Sequence, residues 1–153
     1  MAENDLHGHY SINNCRIITM NSMEGDYGTL TVAENRLLPF EVRRAYYLYD
    51  IPTGSHRGGH SHCTEHRLIA AITGCFDVEV DDGEHTKVFT LRTPFEGLYI
   101  PPGIWRTLYG FSSGSVVLGL CSAEFSELDY VRDHDLFLSK VACRRNEKIN
   151  EKI

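Results

Sequence analysis

A succession of short apolar or alternating runs, separated by Gly, Pro, Asn and Asp, is the feature that most constrains the fold. Runs rich in β-branched and aromatic residues, with turn residues at both ends, are typical of β-strands. No long helical segments alternate with them, so a parallel α/β sheet is not expected. The pattern therefore predicts an all-β sandwich or barrel. The predicted strands are residues 15–20, 28–33, 42–49, 67–73, 75–80, 86–91, 97–100, 104–109 and 115–121.

Turn and cap residues add two local predictions. Asp81-Asp82-Gly83 predicts a hairpin turn, because an Asp-Gly pair tolerates the positive φ angles that such turns need. Near the C-terminus, Asp133 or Asp135 is expected to cap a short helix. The predicted apolar positions of that helix are Leu136, Leu138 and Val141.

The composition is typical of one globular domain. The hydrophobic fraction of 42% and the charged fraction of 24% are ordinary values, which excludes global disorder. A chain of 153 residues is long enough to bury a substantial core. We expect a flexible N-terminal segment over residues 1–13, a barrel domain over 14–143 and a charged, frayed tail over 144–153.

Net charge and cysteine content narrow the classes of function. The formal net charge of −6 argues against general binding to nucleic acid or anionic membranes, which needs a cationic surface. The sequence shows neither a signal peptide nor an apolar stretch long enough for a transmembrane helix, so we expect a cytoplasmic protein. The 5 cysteines are widely spaced and form no CxxC pair, which favours reduced thiols in that compartment.

The segment with the most obvious chemical potential covers residues 54–62, GSHRGGHSH. On a strand, His60 and His62 point to the same face. Paired imidazoles on one face either bind a metal or transfer protons. The neighbouring glycines reduce the steric bulk, so a ligand is expected to approach the backbone closely there. The residues of this segment alone leave both uses open.

The spacing resembles the two sequence motifs of the cupin superfamily. Gly54, His60, His62 and Gly74 match the glycine and histidine positions of the first motif. The Pro-Pro-Gly sequence at residues 101–103 resembles the centre of the second motif. This resemblance implies an all-β cupin (RmlC-like) jelly-roll β-barrel, followed by a short C-terminal helix.

Two departures from the cupin pattern bear on metal binding. Arg67 stands at the glutamate position of the first motif, and Arg106 stands at the histidine position of the second. Arginine has no acceptor lone pair and stays protonated, so it cannot ligate a cation. We therefore expect no metal at the barrel centre. The same two arginines favour an anion or a developing oxyanion instead.

A closer resemblance is to the sugar 3,4-ketoisomerases of the FdtA/QdtA/WxcM-like group, which are RmlC-like cupins that act on dTDP-4-keto-6-deoxyglucose. Residues 57–62, RGGHSH, look like the RGGHxH signature of that group. Residues 38–42 and 44–50 resemble its segment before the signature. Residues 97–105 resemble the segment after it, and residues 130–135 resemble its C-terminal box.

The resemblance implies an enzyme that binds a dTDP-linked keto sugar and forms a homodimer with exchanged N-terminal strands. The implied reaction converts dTDP-4-keto-6-deoxy-D-glucose to the 3-keto isomer through an enediol, without a metal or redox cofactor. His60 is assigned as the principal base, and His62 as the partner that moves protons between the oxygens or holds the enediol. A transaminase acting next would give a 3-amino sugar, as used in O-antigen or S-layer glycans.

Further residues are expected around the substrate. Arg57 is a candidate for the diphosphate. Arg44 and Tyr46 share one face of their predicted strand and are candidates for nucleotide or phosphate contacts. Arg67 is expected to favour the anionic substrate, and Tyr99 is expected either beside the substrate or in the core.

Two positions in the resembling family separate enzymes that deliver the proton to opposite faces of C4. Tyrosine with arginine resembles the type that keeps the gluco configuration, and arginine with histidine resembles the galacto-forming type. Here Tyr27 precedes Gly28 and Arg106 follows Trp105, so a gluco product is expected, with Tyr27 and Arg106 in the catalytic set. The alternatives are the galacto epimer, a metal-dependent cupin enzyme, a 3,5-epimerase and a non-catalytic nucleotide-sugar-binding cupin.

Overall fold

The computed structural model describes residues 10–151 and consists almost entirely of antiparallel strands. The elements are β1 (Arg16–Thr19), β2 (Asn21–Gly25), β3 (Gly28–Val32), β4 (Arg44–Leu48), β5 (Arg57–His62), β6 (Arg67–Thr73), β7 (Phe76–Asp81), β8 (Thr86–Leu91), β9 (Glu96–Ile100), β10 (Trp105–Tyr109), β11 (Val116–Cys121), β12 (Tyr130–Val131) and α1 (His134–Asn150). Three short 3-10 turns lie at Ile12–Asn14, Asn35–Leu37 and Glu127–Asp129.

Two five-stranded sheets pack face to face to form the barrel. One has the order β1-β9-β6-β11-β4, and the other has the order β12-β5-β10-β7-β8. Apolar side chains at alternate positions of the strands meet between the sheets, as with Ile69 and Val117 on one side and Val78 and Leu108 on the other. The predicted cupin jelly roll with a short C-terminal helix is confirmed.

The predicted strands correspond to observed strands, with small differences at their ends. The hairpin turn predicted at residues 81–83 joins β7 to β8. The strand Asn21–Gly25 was not predicted, because its sequence is mostly polar and its side chains are exposed. It pairs only with β3, and these two strands form a separate two-stranded sheet within the described part of the chain.

The C-terminal helix differs from its prediction in packing and in length. Asp133 is the N-cap and accepts a hydrogen bond from the Leu136 backbone amide. The buried helix residues are Phe137 and Val141, whereas Leu136 is 49% and Leu138 is 38% exposed, so of the three predicted apolar positions only Val141 packs in the core. The predicted frayed tail is also wrong for residues 144–150, which continue the helix.

The N-terminal segment is held to the barrel from residue 12 onward. Ile12 is buried, and its backbone amide donates to the carboxylate of Asp82 in the β7–β8 turn. The flexible segment predicted for residues 1–13 is therefore wrong at Ile12, while residues 1–9 lie outside the described residues.

All 5 cysteines lie among the described residues, and they are free thiols. Across residues 10–151, the structure contains no helix with the length and apolar character needed to cross a membrane.

Candidate active site

A cavity of about 420 Å³ lies between the two sheets, which is a volume typical of small-molecule sites. Strands β4 and β6 supply one wall, β5 and β10 supply the other, and Tyr130 and Phe125 come from the segment around β12. The polar residues that line the cavity include Arg44, Tyr46, His60, Arg67, Arg106 and Tyr130.

A β-bulge in β5 sets the position of the first histidine. His60 pairs with Arg106 and Gly58 pairs with Thr107, so Gly59 is an extra residue on β5. Gly58 has a φ of 81° and Gly59 a φ of 69°, values that favour glycine. A Cβ atom on Gly58 would lie 2.8 Å from the carbonyl oxygen of Arg106. The glycine pair is thus required by the backbone, in addition to any space it leaves for a ligand.

His60 lies at the cavity wall in a neutral state. Its side chain is buried, and neither ring nitrogen makes a well-formed hydrogen bond within residues 10–151. Burial first, then the charges of Arg106 and Arg67, lower its pKa to about 3, against a small opposing contribution from the Gly58 backbone. At neutral pH the imidazole is therefore uncharged and able to accept a proton.

His62 lies behind His60 and is held from the other side. It is fully buried, and its ring meets that of His60 edge to face at a centroid distance of 4.9 Å. Its Nδ1 lies 3.2 Å from the Asp129 carboxylate, which also accepts from the backbone amides of Thr64 and Glu65. Because that carboxylate is an acceptor, Nδ1 of His62 carries the proton. Burial, then the nearby arginines, lower the pKa of His62 strongly.

Glu65 is a buried carboxylate that sequence reasoning missed. It lies two positions before the site where the cupin pattern places its glutamate. Its oxygens bind Arg67 through Nε, at 3.0 Å, and through Nη2, and they contact Arg44 at 3.2 Å. Although burial opposes the charge on Arg67, its neighbours Tyr46, Cys121 and Glu65 raise its pKa. The charge of Arg67 is therefore balanced by protein groups.

Arg106 differs sharply from Arg67. Its side chain is 1% exposed, and Nε, Nη1 and Nη2 have no hydrogen-bond partner in the part of the chain that the structure describes. Burial first, then repulsion from Arg67, lower its pKa to about 10, so it stays charged at neutral pH. A buried guanidinium with unused donors beside a neutral imidazole is suited to an oxygen atom that gains negative charge.

Tyr130 completes the group and was also missed as a site residue. Tyr130 lies in the segment 130–135, which resembles the C-terminal box of the family, but the sequence assigned it no function. The residues that it contacts belong to β5 and β6, which are distant from it in the sequence. Its ring centroid lies 4.8 Å from that of His60 and 4.3 Å from that of His62. Its side chain also interacts with the Arg67 guanidinium.

The remaining predicted residues fall in different places. Arg57 lines the cavity as an exposed side chain. Tyr99 is buried in the cluster on the opposite face of its sheet, where its hydroxyl lies 2.7 Å from Nδ1 of His66. Of its two predicted positions, beside the substrate or in the core, the structure places it in the core and outside the cavity lining. Tyr27 is fully exposed in the turn between β2 and β3 and does not line the cavity of its own chain.

The side chains of His62, Glu65 and Asp129 place ligand-type atoms within 4.8 Å of one another. The hydrogen bonds and ion pairs that these side chains already make do not favour a cation there. Glu65 is engaged by two guanidinium groups, and Asp129 accepts from His62 and from the Thr64 backbone and hydroxyl. A metal ion would have to displace these donors while facing the charges of Arg44 and Arg67.

The sequence and the fold were compared with known proteins. The model of the family FdtA, described as WxcM-like, C-terminal, matches residues 13–142. Among curated proteins, the TDP-4-oxo-6-deoxy-alpha-D-glucose-3,4-oxoisomerase of Aneurinibacillus thermoaerophilus is 32% identical over 134 residues, which covers 87% of this chain and 96% of the relative.

Solved structures of sugar 3,4-ketoisomerases are similar along most of their length. QdtA, a sugar 3,4-ketoisomerase from Thermoanaerobacterium thermosaccharolyticum in complex with TDP, superposes with a TM-score of 0.84 at 30% identity, covering 88% of this chain and 98% of QdtA. A histidine-to-asparagine mutant of QdtA was solved with TDP-4-keto-6-deoxyglucose. A 3,4-ketoisomerase from Helicobacter canadensis superposes with a TM-score of 0.82 at 32% identity, covering 84% of this chain and 98% of that protein.

Proposed function

The chain belongs to the FdtA family, WxcM-like, and on that premise we propose that it is a TDP-sugar 3,4-ketoisomerase. Its substrate is dTDP-4-keto-6-deoxy-D-glucose, and its product carries the ketone at C3. Relatives named for this activity or solved with TDP and with this keto sugar support the assignment. A 3-keto sugar is a substrate for transamination, which places the product in the synthesis of 3-amino-3,6-dideoxyhexoses.

The main support in the site is a neutral imidazole beside an uncompensated guanidinium. His60 and Arg106 are paired across β5 and β10, and both line the cavity. Isomerisation between C4 and C3 requires a base for the C3 hydrogen, which the neighbouring ketone acidifies. It also requires stabilisation of the enediolate oxygen that forms. His60 and Arg106 supply these two functions.

The proposed mechanism uses one imidazole for the carbon-bound proton. His60 takes the proton from C3, while Arg106 donates hydrogen bonds to O4 as negative charge develops there. The imidazolium then returns the proton at C4, and the hydroxyl proton of O3 passes to O4 as the C3 oxygen becomes the ketone. No net electron leaves the sugar, so the reaction needs no redox cofactor, and Arg106 supplies the positive charge that a metal ion would otherwise place beside the oxygen.

His62 serves as the partner of His60 in this proposal. Its Nδ1 proton is committed to Asp129, and its ring edge packs against His60. It therefore fixes the orientation of the base from outside the cavity lining.

The cationic mouth of the cavity is suited to the diphosphate. Arg57 lines it as an exposed side chain. Arg132 also lines it but donates to Glu127 at 2.7 and 3.1 Å, and Arg44, further in, pairs with Glu65 at 3.2 Å, so Arg57 is the best candidate for the diphosphate. Exposed guanidinium groups bind phosphate oxygens through paired hydrogen bonds. Arg67 acts with Glu65 as a fixed wall rather than as a free anion site, which narrows its predicted role in substrate binding.

We further propose a homodimer in which Tyr27 reaches the cavity of the partner subunit. The β2–β3 hairpin is a separate sheet, and Met23, Tyr27 and Leu30 are exposed on it. Packing of the hairpin against a second copy of the chain would bury these apolar side chains. Tyr27 together with Arg106 is the combination expected to keep the gluco configuration at C4.

Proton NMR of the product formed from dTDP-4-keto-6-deoxyglucose tests this function. We expect the ketone at C3 and the gluco configuration at C4, with activity that survives removal of metals by a chelator. His60→Asn is expected to lower kcat by about 10²- to 10⁴-fold, the usual contribution of a general base. His85→Asn, at an exposed turn, is the matched control. A product that keeps its C4 ketone, or a His60→Asn variant with the wild-type rate, would contradict the proposal.

A further inference from the structure

Ketone transfer between neighbouring carbons moves two protons, and His60 accounts for one. The hydrogen on C3 has to reach C4, and the hydroxyl proton on O3 has to reach O4. These protons leave from different directions around C3, so a single fixed imidazole is poorly placed to carry both. A second group with an exchangeable proton is needed next to the two sugar oxygens.

His62 is not placed to be that second carrier. Its side chain is fully buried, and it is not among the residues that line the cavity. Its one ring proton is held by Asp129, at 3.2 Å. The Asp129 carboxylate is in turn fixed by hydrogen bonds from Thr64, at 2.7 and 2.9 Å, and from the Glu65 amide, at 3.1 Å. Nε2, the nitrogen that could still accept a proton, is buried 3.8 Å from a Glu65 carboxylate oxygen, and His62 does not line the cavity.

Tyr130 is placed where the second carrier is needed. It lies opposite His62 in the β12–β5 pairing, lines the cavity and contacts the rings of both histidines. Arg132 stacks on its outer face at 4.2 Å, which limits its rotation. Its side chain also interacts with Arg67, whose position is fixed by an ion pair. A fixed positive charge beside a phenol favours partial negative charge on the oxygen during proton transfer.

We propose that the Tyr130 hydroxyl is the oxygen-to-oxygen proton carrier of the site. The proposal rests on the proposed ketoisomerase function. His60 takes the C3 proton, and the electron pair of the C3–H bond forms the C3–C4 double bond of the enediol. Tyr130 gives its proton to O4 and takes the proton of the O3 hydroxyl. The C3 oxygen becomes the ketone as His60 returns its proton to C4. The phenol and the imidazole both end as they began, so atoms and electrons balance.

A Tyr130→Phe variant tests this role, because it keeps the ring against the histidines and removes only the hydroxyl. We expect kcat to fall by about 10²- to 10⁴-fold, with the KM and the dissociation constant of TDP within about threefold of wild type. In D2O, recovered substrate should gain deuterium at C3 faster than product forms, because His60 still removes the C3 proton. The control is Tyr47→Phe, because Tyr47 follows Tyr46 on β4 and its hydroxyl is exposed. This variant should keep the wild-type rate.

Three results would overturn the proposal. The first is a Tyr130→Phe kcat within about threefold of wild type. The second is a Tyr130→Phe variant in which deuterium exchange at C3 of the substrate falls by the same factor as kcat. A purely structural role of Tyr130 would give that result. The third is a larger loss of kcat from Tyr46→Phe, since Tyr46 is the other phenol that lines the cavity within residues 10–151. Failure of the ketoisomerase function itself is recognised separately, because wild type would then show neither turnover nor C3 exchange.

Discussion

At the scale of single residues, the two histidines are held neutral by their surroundings. Both are buried, and both face the positive charges of Arg106 and Arg67. A neutral imidazole is a competent base, and once protonated beside two guanidinium groups it is a strong acid. The same surroundings therefore suit both halves of the proposed mechanism, in which His60 removes the C3 proton and returns it at C4.

This neutral state has a consequence for stability. The pKa of His60 in the folded protein is about 3, below the ordinary value of 6.5, so the unfolded chain binds more protons when the pH is below about 6.5. The free energy of unfolding should fall as the pH is lowered from 6.5 toward 3, by up to about 1.4 kcal/mol per pH unit for this group. His62 acts in the same direction.

Urea unfolding at several pH values between 5 and 8, without nucleotide, measures this effect. His60→Asn should reduce the pH dependence relative to wild type, because it removes one of the three histidines in residues 10–151 whose pKa the fold lowers, namely His60, His62 and His66. His85→Asn, at an exposed histidine, should retain the wild-type dependence. Equal pH dependence in wild type and in His60→Asn would show that His60 is not held neutral by the fold.

The histidine pair and the two arginines were predictable, because short motifs fix their spacing on strands. Glu65 and Asp129 were not predictable in the same way. Their roles depend on contacts between residues far apart in sequence, such as the 67-residue separation of His62 and Asp129. Tyr130 belonged to a recognised segment, but only the β12–β5 pairing brings it to the histidines.

At the scale of elements, the bulge in β5 links a sequence signature to the geometry of the site. Gly59 is the extra residue that places His60 opposite Arg106. Gly58→Ala should destabilise the protein by about 1–3 kcal/mol, because of the positive φ and the 2.8 Å contact with the Arg106 carbonyl oxygen. It should also lower kcat by displacing His60 relative to Arg106.

Gly54→Ala is the matched control for this prediction. Gly54 has the same φ of 81°, but an added Cβ would meet no atom within 4 Å. Thermal or urea unfolding should therefore show the cost of the positive φ alone, and kcat should fall less than in Gly58→Ala. Equal effects of the two substitutions on stability and on kcat would contradict the role given to the bulge.

Element prediction succeeded where the pattern of side chains determines pairing and failed where pairing is decided by tertiary contacts. The β-branched and aromatic runs of the barrel were assigned correctly. The polar strand β2 is defined by its pairing with β3, and the two-residue strand β12 by its pairing with β5. The charged end of α1 looked frayed in sequence, yet it continues as helix, with Arg145 contacting Glu84 at 2.6 Å.

At the scale of the whole molecule, the distribution of charge is a better guide to the class of ligand than the net charge is. The net charge is −6, which is unfavourable for nucleic acid, yet five arginines line one cavity. They are Arg44, Arg57, Arg67, Arg106 and Arg132. An acidic exterior around a cationic pocket favours a small anion, such as a nucleoside diphosphate, over a polyanion. The net charge was enough to exclude the polyanion, but only the fold shows where the arginines meet.

The proposed homodimer can be tested by combining two inactive variants. If Tyr27 acts in the partner's cavity, a chain carrying Tyr27→Ala and a chain carrying His60→Asn should complement each other. Co-expressed in equal amounts, they form heterodimers as about half of all dimers, each with one site that has both residues. About a quarter of wild-type activity should return, although each variant alone is expected to be strongly impaired.

The control pair is His60→Asn with Arg106→Ala, because both residues line the cavity of the same chain. No mixed dimer of these two variants contains a complete site, so co-expression should restore no activity. Giving the two chains different affinity tags and purifying the mixture through both tags in turn would isolate the heterodimers. If heterodimers of the Tyr27 and His60 variants form and remain as inactive as the separate variants, Tyr27 does not act across the interface. The control of the C4 configuration would then have to come from groups within a single cavity, with Arg106 the first to examine.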